Sequence, residues 1–557
     1  YIVEPQMGRV RITNPSVLNS GREIVVEYEK PDLFDNQIRT LVGTRLDYIL
    51  NKDVRIGMTA MHYNETPAGF LKRVAIGNEP ASNSIIGIDG SIRKEAPFIT
   101  RLLDKLPLIQ TKEMSYIHFK GEAAQLYPGL NRRINGRAIV DDFETSRMIY
   151  DMVRQPTLWK VGATPQNSPN FNFPGATSQR LEHAFNRAKI SVYNVDNVFS
   201  GRDLGGNIGM PVLPEDGEIQ NYYEKMYTPQ DLFPGKAVPV INLPQAILDV
   251  AYYPAERGMY NYSTDLNRRG MLRNPKQSYG AITRAISADN DFDNANIETI
   301  DFWLLNPFVD GPNGIVRAGY TDDTGASIDR RATGGKLVFN LGDISEDIIP
   351  DERYNFENGL PIADRVVGIN VDSTAWGYVT RQQFVINAFS NEPGGREKQD
   401  VGLDGMNSAD EQRFFKESFL DRVESTVSPQ AMELIRSDPS GDDFEFYLGE
   451  KWDQQRANVL QRYKNFLGAE NNSPESTQNR NQFTQANTNL PDGEDLNTDN
   501  TINNNEEYYE YVIDLQPGQL EVGRGFIVDR TTTGEAEWFL FRVPVREFTG
   551  KTPNMNS

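Results

Sequence analysis

The sequence predicts an all-β-dominated chain: amphipathic strands first, then a jelly-roll-like β-sandwich with a helical insertion. Three observations carry this reading. Apolar and polar residues alternate through residues 1–135. From 136 to 557, short apolar strands are separated by long loops. Between about 409 and 467 the apolar spacing becomes helical.

The first region reads as hairpins. In 42–50, Val42, Leu46, Tyr48 and Leu50 oppose Gly43, Arg45 and Asp47. In 84–93, Ile86, Ile88 and Ile92 share a face with Gly90, opposite Gly87, Asp89, Ser91 and Arg93. In 115–123, Ile117, Phe119, Gly121 and Ala123 oppose Tyr116, His118, Lys120 and Glu122. One apolar face against one charged, glycine-containing face suits a membrane barrel wall. It equally suits a soluble sheet with a core on one side, and alternation alone favours the commoner soluble form. Turn residues at 80–84 and the basic joint at 131–136, after Tyr127-Pro128-Gly129, punctuate the region.

In the second region, strands are expected at 138–143, 246–253, 297–305, 336–341, 508–515 and 537–545. Leu337, Phe339 and Leu341 share one face of theirs. The insertion carries Phe414, Phe415, Phe419, Leu420 and Val423 as a helical stripe expected to pack on the sandwich. Trp452, Val459, Leu460, Tyr463 and Phe466 continue in the same style. Residues 469–489 are rich in Asn, Gln, Ser and Thr and read as a loop.

Composition narrows the function. The net charge of −21 argues against nucleic acid as a partner. The absence of cysteine rules out disulfides and thiolate metal sites, and three histidines are too few and scattered for a histidine-built zinc centre. No apolar run is long enough for a transmembrane helix. The absence of a start Met and the ending KTPNMNS suggest a processed or excised piece.

Residues 495–506, DLNTDNTINNNE, carry the clearest chemistry. Asp495, Asn497, Asp499, the Thr501 carbonyl and Glu506 occupy places one, three, five, seven and twelve of a calcium loop. Ile502 takes the apolar eighth place. Asn500 replaces the usual sixth-place glycine, and asparagine tolerates the left-handed conformation required there. A second run, 400–411, places Asp400, Asp404 and Glu411 at positions one, five and twelve. Gly402 leaves its third place without a ligand, and Ser408 or Asp410 is expected to cap the helix that follows. Calcium in either run would be structural.

Two further acidic groups are weighed. Asp141, Asp142 and Glu144 supply carboxylates for glycoside chemistry, but Asp141 and Asp142 would point to opposite faces of a strand, so a metal or hydrogen-bond role at the strand end is preferred. Asp343, Glu346, Asp347 and Asp351 could bind metal or form a solvated turn, and the turn is the preferred reading. No phosphate loop or Ser/His/Asp array is present, so no catalytic residue is assigned. The glycines of 201–209 do not follow a strand as a nucleotide fold requires.

Six stretches in order, GRAIVDDFETS, LWKVGATP, IDFWLLNPF, GKLVFNLGDISEDIIPDERYNFENGLP, QDVGLDGMNSADE and PDGEDLNTDNTINNNEEYYEYVIDL, resemble the SprA/Sov family. This is the outer-membrane translocon of the type IX secretion system in Bacteroidetes, linked to protein secretion and gliding motility. The resemblance covers most of residues 38–545, and family members are several times longer. It implies that residues 1–135 are outer-membrane β-barrel strands facing lipid, and that 136–557 form an extracellular cap closing the pore. It also implies a PorV-type shuttle protein, a periplasmic plug protein and secreted cargo as partners. The alternative expectation is a calcium-stabilised carbohydrate-binding or adhesive surface module using Trp376, Trp452 or Trp538 as exposed sugar platforms.

Overall fold

The computed structural model describes residues 2–4, 9–11, 38–66, 82–106, 113–129, 150–153, 155–200, 213, 221–234, 244–286, 291–293, 295–321, 327–330, 332–362, 370–382, 388–472, 490–553 and 555. The chain divides into two compact units, Tyr1–Ser146 with Ala237–Ile241, and Arg147–Lys236 with Asn242–Ser557. It is β-dominated, built of small antiparallel sheets with few helices. Among the described residues no helix is long and apolar enough to cross a membrane.

The first unit is organised around an open antiparallel meander: β1 (Ile38–Asn51), β2 (Val54–Thr66), β3 (Ser82–Glu95) and β4 (Tyr116–Tyr127). Residues directly opposite each other share a face, so the register shows what each face carries. One cross-strand row is Leu46, Met58, Ile88 and Ala123. Another is Tyr48, Ile56, Gly90 and Gly121, and Val54, Ile92 and Phe119 follow. This apolar face is open: Leu46 is 68% exposed, Ile88 56% and Phe119 66%. The other face carries Asp47, Gly57, Asp89 and Glu122 in one row. Here Arg45 donates to Asp89 at 2.7 Å and Arg55 to Asp47 at 2.7 Å. A Cβ on Gly57 would lie 2.4 Å from Arg45 Nη2, so this glycine leaves the path that the arginine follows between strands. The alternation expected in 42–50, 84–93 and 115–123 is therefore preserved in β1, β3 and β4, and β2 shares it.

In the second unit, β5 (Ala188–Tyr193) pairs with β6 (Asp249–Arg257). Two three-stranded sheets share one core. β7 (Thr299–Leu305), β11 (Ala536–Pro544) and β10 (Ile527–Thr533) form the first; β8 (Gly335–Asp343), β9 (Glu507–Leu515) and Gly550–Lys551 form the second. Leu337, Phe339 and Leu341 of β8 meet Phe302 of β7 and Phe539 and Phe541 of β11. Phe302 stacks on Phe541 with centroids 5.0 Å apart and meets Phe339 at 5.3 Å. Among the described residues, these five strands with the short Gly550–Lys551 addition to β9 are fewer than the eight of a jelly roll.

The helical segment begins at α1 (Ser408–Phe414). Its cap is Asn407, whose side chain accepts from Ala409 and Asp410 N–H, and not Ser408 or Asp410 as the sequence suggested. A π-helical turn, Lys416–Leu420, follows. The wider turn lets Phe415, Phe419 and Leu420 all face inward. Ser428 then caps α2 (Pro429–Ser437), with proline at its first position. The stripe does not pack on the two-sheet core as expected. It joins a separate core with Tyr260, Tyr262, Trp376, Leu403 and Met406, where Tyr262 stacks on Phe415 at 4.1 Å. The segment continues through α3 (Glu450–Gln455) and α4 (Val459–Arg462), whose Val459 packs beside Tyr193, Phe199, Tyr447 and Tyr463.

Candidate metal centres

The 495–506 run folds as a chain of side-chain turns. Asp495 accepts from Asp499 N–H at 3.2 Å and from Asn500 N–H at 2.7 Å, one bond to each oxygen. Asn497 Oδ1 accepts from Asp499 N–H at 2.9 Å. Asp499 Oδ1 accepts from the N–H and hydroxyl of Thr501. These bonds turn the carboxylates back over their own backbone, as alternate ligands in a cation loop require. Asn500 has φ +62°, the left-handed conformation its sixth place demands, and Thr498 shares it. Glu506 stands differently. Its Oε1 accepts from Ser345 N–H at 3.1 Å, while Oε2 is buried without a partner. Burial pushes its carboxyl up to about 7. Asp495, Asp499 and Glu506 are not among the described carboxylate sets that lie within 4.8 Å of one another.

A residue the sequence reading left in a solvated turn holds this loop. Glu346 is 4% exposed. Its Oε1 accepts from Leu496 and Asn497 N–H, and its Oε2 from Asn503 N–H. Its own N–H donates to Asn503 O at 2.8 Å. The expected solvated turn is thus buried at Glu346 and Asp347, while Asp343 at the end of β8 is exposed. Burial, then Asp351, pushes Asp347 up to about 7. Beside them Glu494 accepts from Ile348, Ile349 and Asn355 N–H. A carboxylate taking several backbone donors is a pinning device for irregular chain.

The 400–411 run divides. Asp404 and Glu411 come together with Asp442, a residue the sequence reading missed, all within 4.8 Å of one another and all buried. Asp400 lies outside this set; its Oδ2 accepts from Arg396 Nε at 3.3 Å. Ser440 aligns the set: its hydroxyl donates to Asp404 Oδ2 at 2.8 Å and its N–H to Glu411 Oε2 at 3.0 Å. Met406 N–H donates to Asp404 Oδ1. Glu411 Oε1 and both oxygens of Asp442 are buried without a hydrogen-bond partner. Burial pushes Asp404 up to about 8 and, with Asp404 adding repulsion, Glu411 up to about 10. Asp442 is raised by burial and by both neighbours. Buried like charges disfavour one another's ionised form until a proton or cation intervenes.

Asp141, Asp142 and Glu144 lie outside the described residues, as do the strand expected at 138–143 and the glycines of 201–209. Two of the three tryptophans expected as sugar platforms are interior. Trp376 is 1% exposed and donates from Nε1 to Pro350 O; Trp538 is 4% exposed and packs edge-on to Tyr227. Trp452 is half-buried, with Lys451 over its ring.

Residues 418–556 match the family model SprA_N, described as a motility related/secretion protein. This match supports membership of the SprA/Sov family. No curated protein matches it. The matched stretch includes Asp442 and the whole 495–506 run, whereas Asp404 and Glu411 precede it.

Proposed function

We propose that this chain is part of the outer-membrane translocon of the type IX secretion system, a pore that exports folded proteins to the cell surface. One observation carries the reading beside the family match. The β1–β4 sheet exposes a continuous apolar face and sets an ion-paired face behind it. Lipid covers the first and water bathes the second in a membrane barrel wall. The strands run 12 to 14 residues, longer than the roughly 9–11 that a tilted transmembrane strand needs.

On this reading the second unit is a jelly-roll-like extracellular cap that closes the axial exit of the pore. A pore wide enough for folded cargo leaks unless it is blocked, so a rigid cap and a side opening do the gating. The PorV-type shuttle, the periplasmic plug and the cargo are the proposed partners, and lipid surrounds the wall. Selectivity rests on contacts between proteins, with no catalytic residue. Calcium in the 495–506 loop adds its binding energy to the folding of the cap. The carbohydrate-binding alternative is weakened by the burial of Trp376 and Trp538.

The test is depletion of the parent protein in its native bacterium, followed by comparison of surface and periplasmic proteomes. Surface proteins should fall and accumulate in the periplasm. Unchanged export with loss of adhesion or glycan binding alone would sink the translocon reading.

A further inference from the structure

We propose that Asp404, Glu411 and Asp442 form a buried calcium site that ties the 400–411 segment to the turn following α2. The inference is independent of the secretion reading. It begins with Gly402, the third place of the 400–411 run, where the sequence offers no ligand. Gly402 has φ +76°, and a Cβ there would lie 2.2 Å from Asp442 Oδ2. The Asp442 carboxylate therefore fills the space that a third-place side chain would claim. A ligand missing from the local run is supplied from a distant segment.

The second observation is the lack of partners. Asp442 is fully buried, yet neither carboxylate oxygen has a hydrogen bond, and Glu411 Oε1 is equally bare. Buried carboxylates are ordinarily hydrogen-bonded, and leaving one bare is costly. The oxygens that do have partners are held by Ser440 and Met406, which fixes the orientation of Asp404 and Glu411. Outer bonds of this kind are how metal ligands are aimed.

Among the described residues, no hydrogen bond ties a cationic side chain to Asp404, Glu411 or Asp442. Arg257 lies close enough to feel Glu411 and Asp438, but its Nη1 donates to the carbonyls of Asn261 and Pro439. Asp438 and Asp443 form a second close set with Asp442 and add negative charge. Glu470 does the same, with its Oε2 buried and bare. An all-oxygen, carboxylate-rich, buried site suits calcium. Magnesium demands stricter geometry and keeps several waters, and zinc prefers nitrogen and sulfur.

The test uses the purified full chain carrying Asp495→Asn and Asp499→Asn, so that the 495–506 loop is silent. After chelation, added calcium should raise the melting temperature by several degrees, magnesium should do so less, and about one calcium should remain bound per chain. Adding Asp442→Asn should abolish both effects. Without calcium, that variant should be at least as stable as its parent, because it removes a buried charge. Absence of any calcium response in the loop-silenced chain overturns the proposal, as does a response that survives Asp442→Asn. Glu411→Gln is the second variant, read the same way if Asp442→Asn fails to fold. None of these outcomes depends on export, so failure of the translocon reading is separately visible.

Discussion

Arg45 on β1 reaches over Gly57 on β2 to bond Asp89 on β3 at 2.7 Å. One side chain thus ties three strands together on the charged face of the sheet. Its path exists because residue 57 has no Cβ. The two faces of this sheet should therefore respond oppositely to charge. Ile88→Lys, in the middle of the apolar face, should block assembly into the outer membrane, at a cost of about 2–4 kcal/mol near the bilayer midplane. Glu122→Lys, on the ion-paired face, should leave assembly intact. Immunoblots of outer-membrane fractions read both, and equal loss from the two variants would remove the lipid-facing assignment.

Phe419 is the test of the helical core. It is fully buried, meets Tyr262 edge-on at 5.7 Å and lies under the Arg257 guanidinium. Phe419→Ala should cost about 3–5 kcal/mol, the range for a large buried aromatic. Leu434→Ala, on the exposed side of α2, should cost little, since Leu434 is 72% exposed. Denaturant titration of the two variants should separate them clearly.

Glu346 should matter more to the 495–506 loop than any single proposed ligand matters to its shape. Glu346→Ala leaves the N–H groups of Leu496, Asn497 and Asn503 without their acceptor. Hydrogen exchange at these three amides should accelerate strongly. Loop calcium affinity should fall although no proposed ligand is touched. Exchange unchanged from the parent would mean the clamp does not order the loop.

His183 predicts an acid limb in stability. Nδ1 meets Ala176 O at 2.7 Å, and Nε2 accepts from Thr164 N–H. The ring is therefore neutral, with its proton on Nδ1. Burial, aided by Arg187, lowers its pKa from 6.5 to about 3. The unfolded chain takes up a proton below pH 6.5 and the folded chain does not. Stability is thus lost as pH falls from 6.5 towards 3, by up to about 1.4 kcal/mol per unit. His183→Gln should flatten that part of the melting-temperature profile relative to the parent. An unchanged slope would contradict the assignment.

The sequence made much of this architecture legible where chemistry repeats at short range. Alternation in β1, β3 and β4 placed residues on faces that the register keeps together. Leu337, Phe339 and Leu341 announced their core in the same way. The pair β5 and β6 was only half visible, because β5 is a brief strand with no sustained alternation. Site residues divided similarly. Asp404 and Glu411 stood at recognisable spacing, but Asp442 comes from another segment, and Gly402 was the one local sign that something was missing. Glu346 looked like one acid among several, since nothing local shows which carboxylate will collect distant N–H groups. Trp376 and Trp538 were misplaced because a single aromatic residue carries no periodicity from which to infer its exposure.

The β1–β4 meander has one more consequence. Among the described strands, the outer side of β1 and the outer side of β4 pair with nothing. In water, such edges recruit other chains; in hydrocarbon, they cannot persist, because each bare N–H and C=O costs several kcal/mol. On the proposed membrane-wall reading, the sheet is a segment of a circumference, and each end requires a neighbour. Whatever strands flank β1 and β4 must match their slant and register. Closure, more than any individual contact within the four strands, then governs whether this wall can stand.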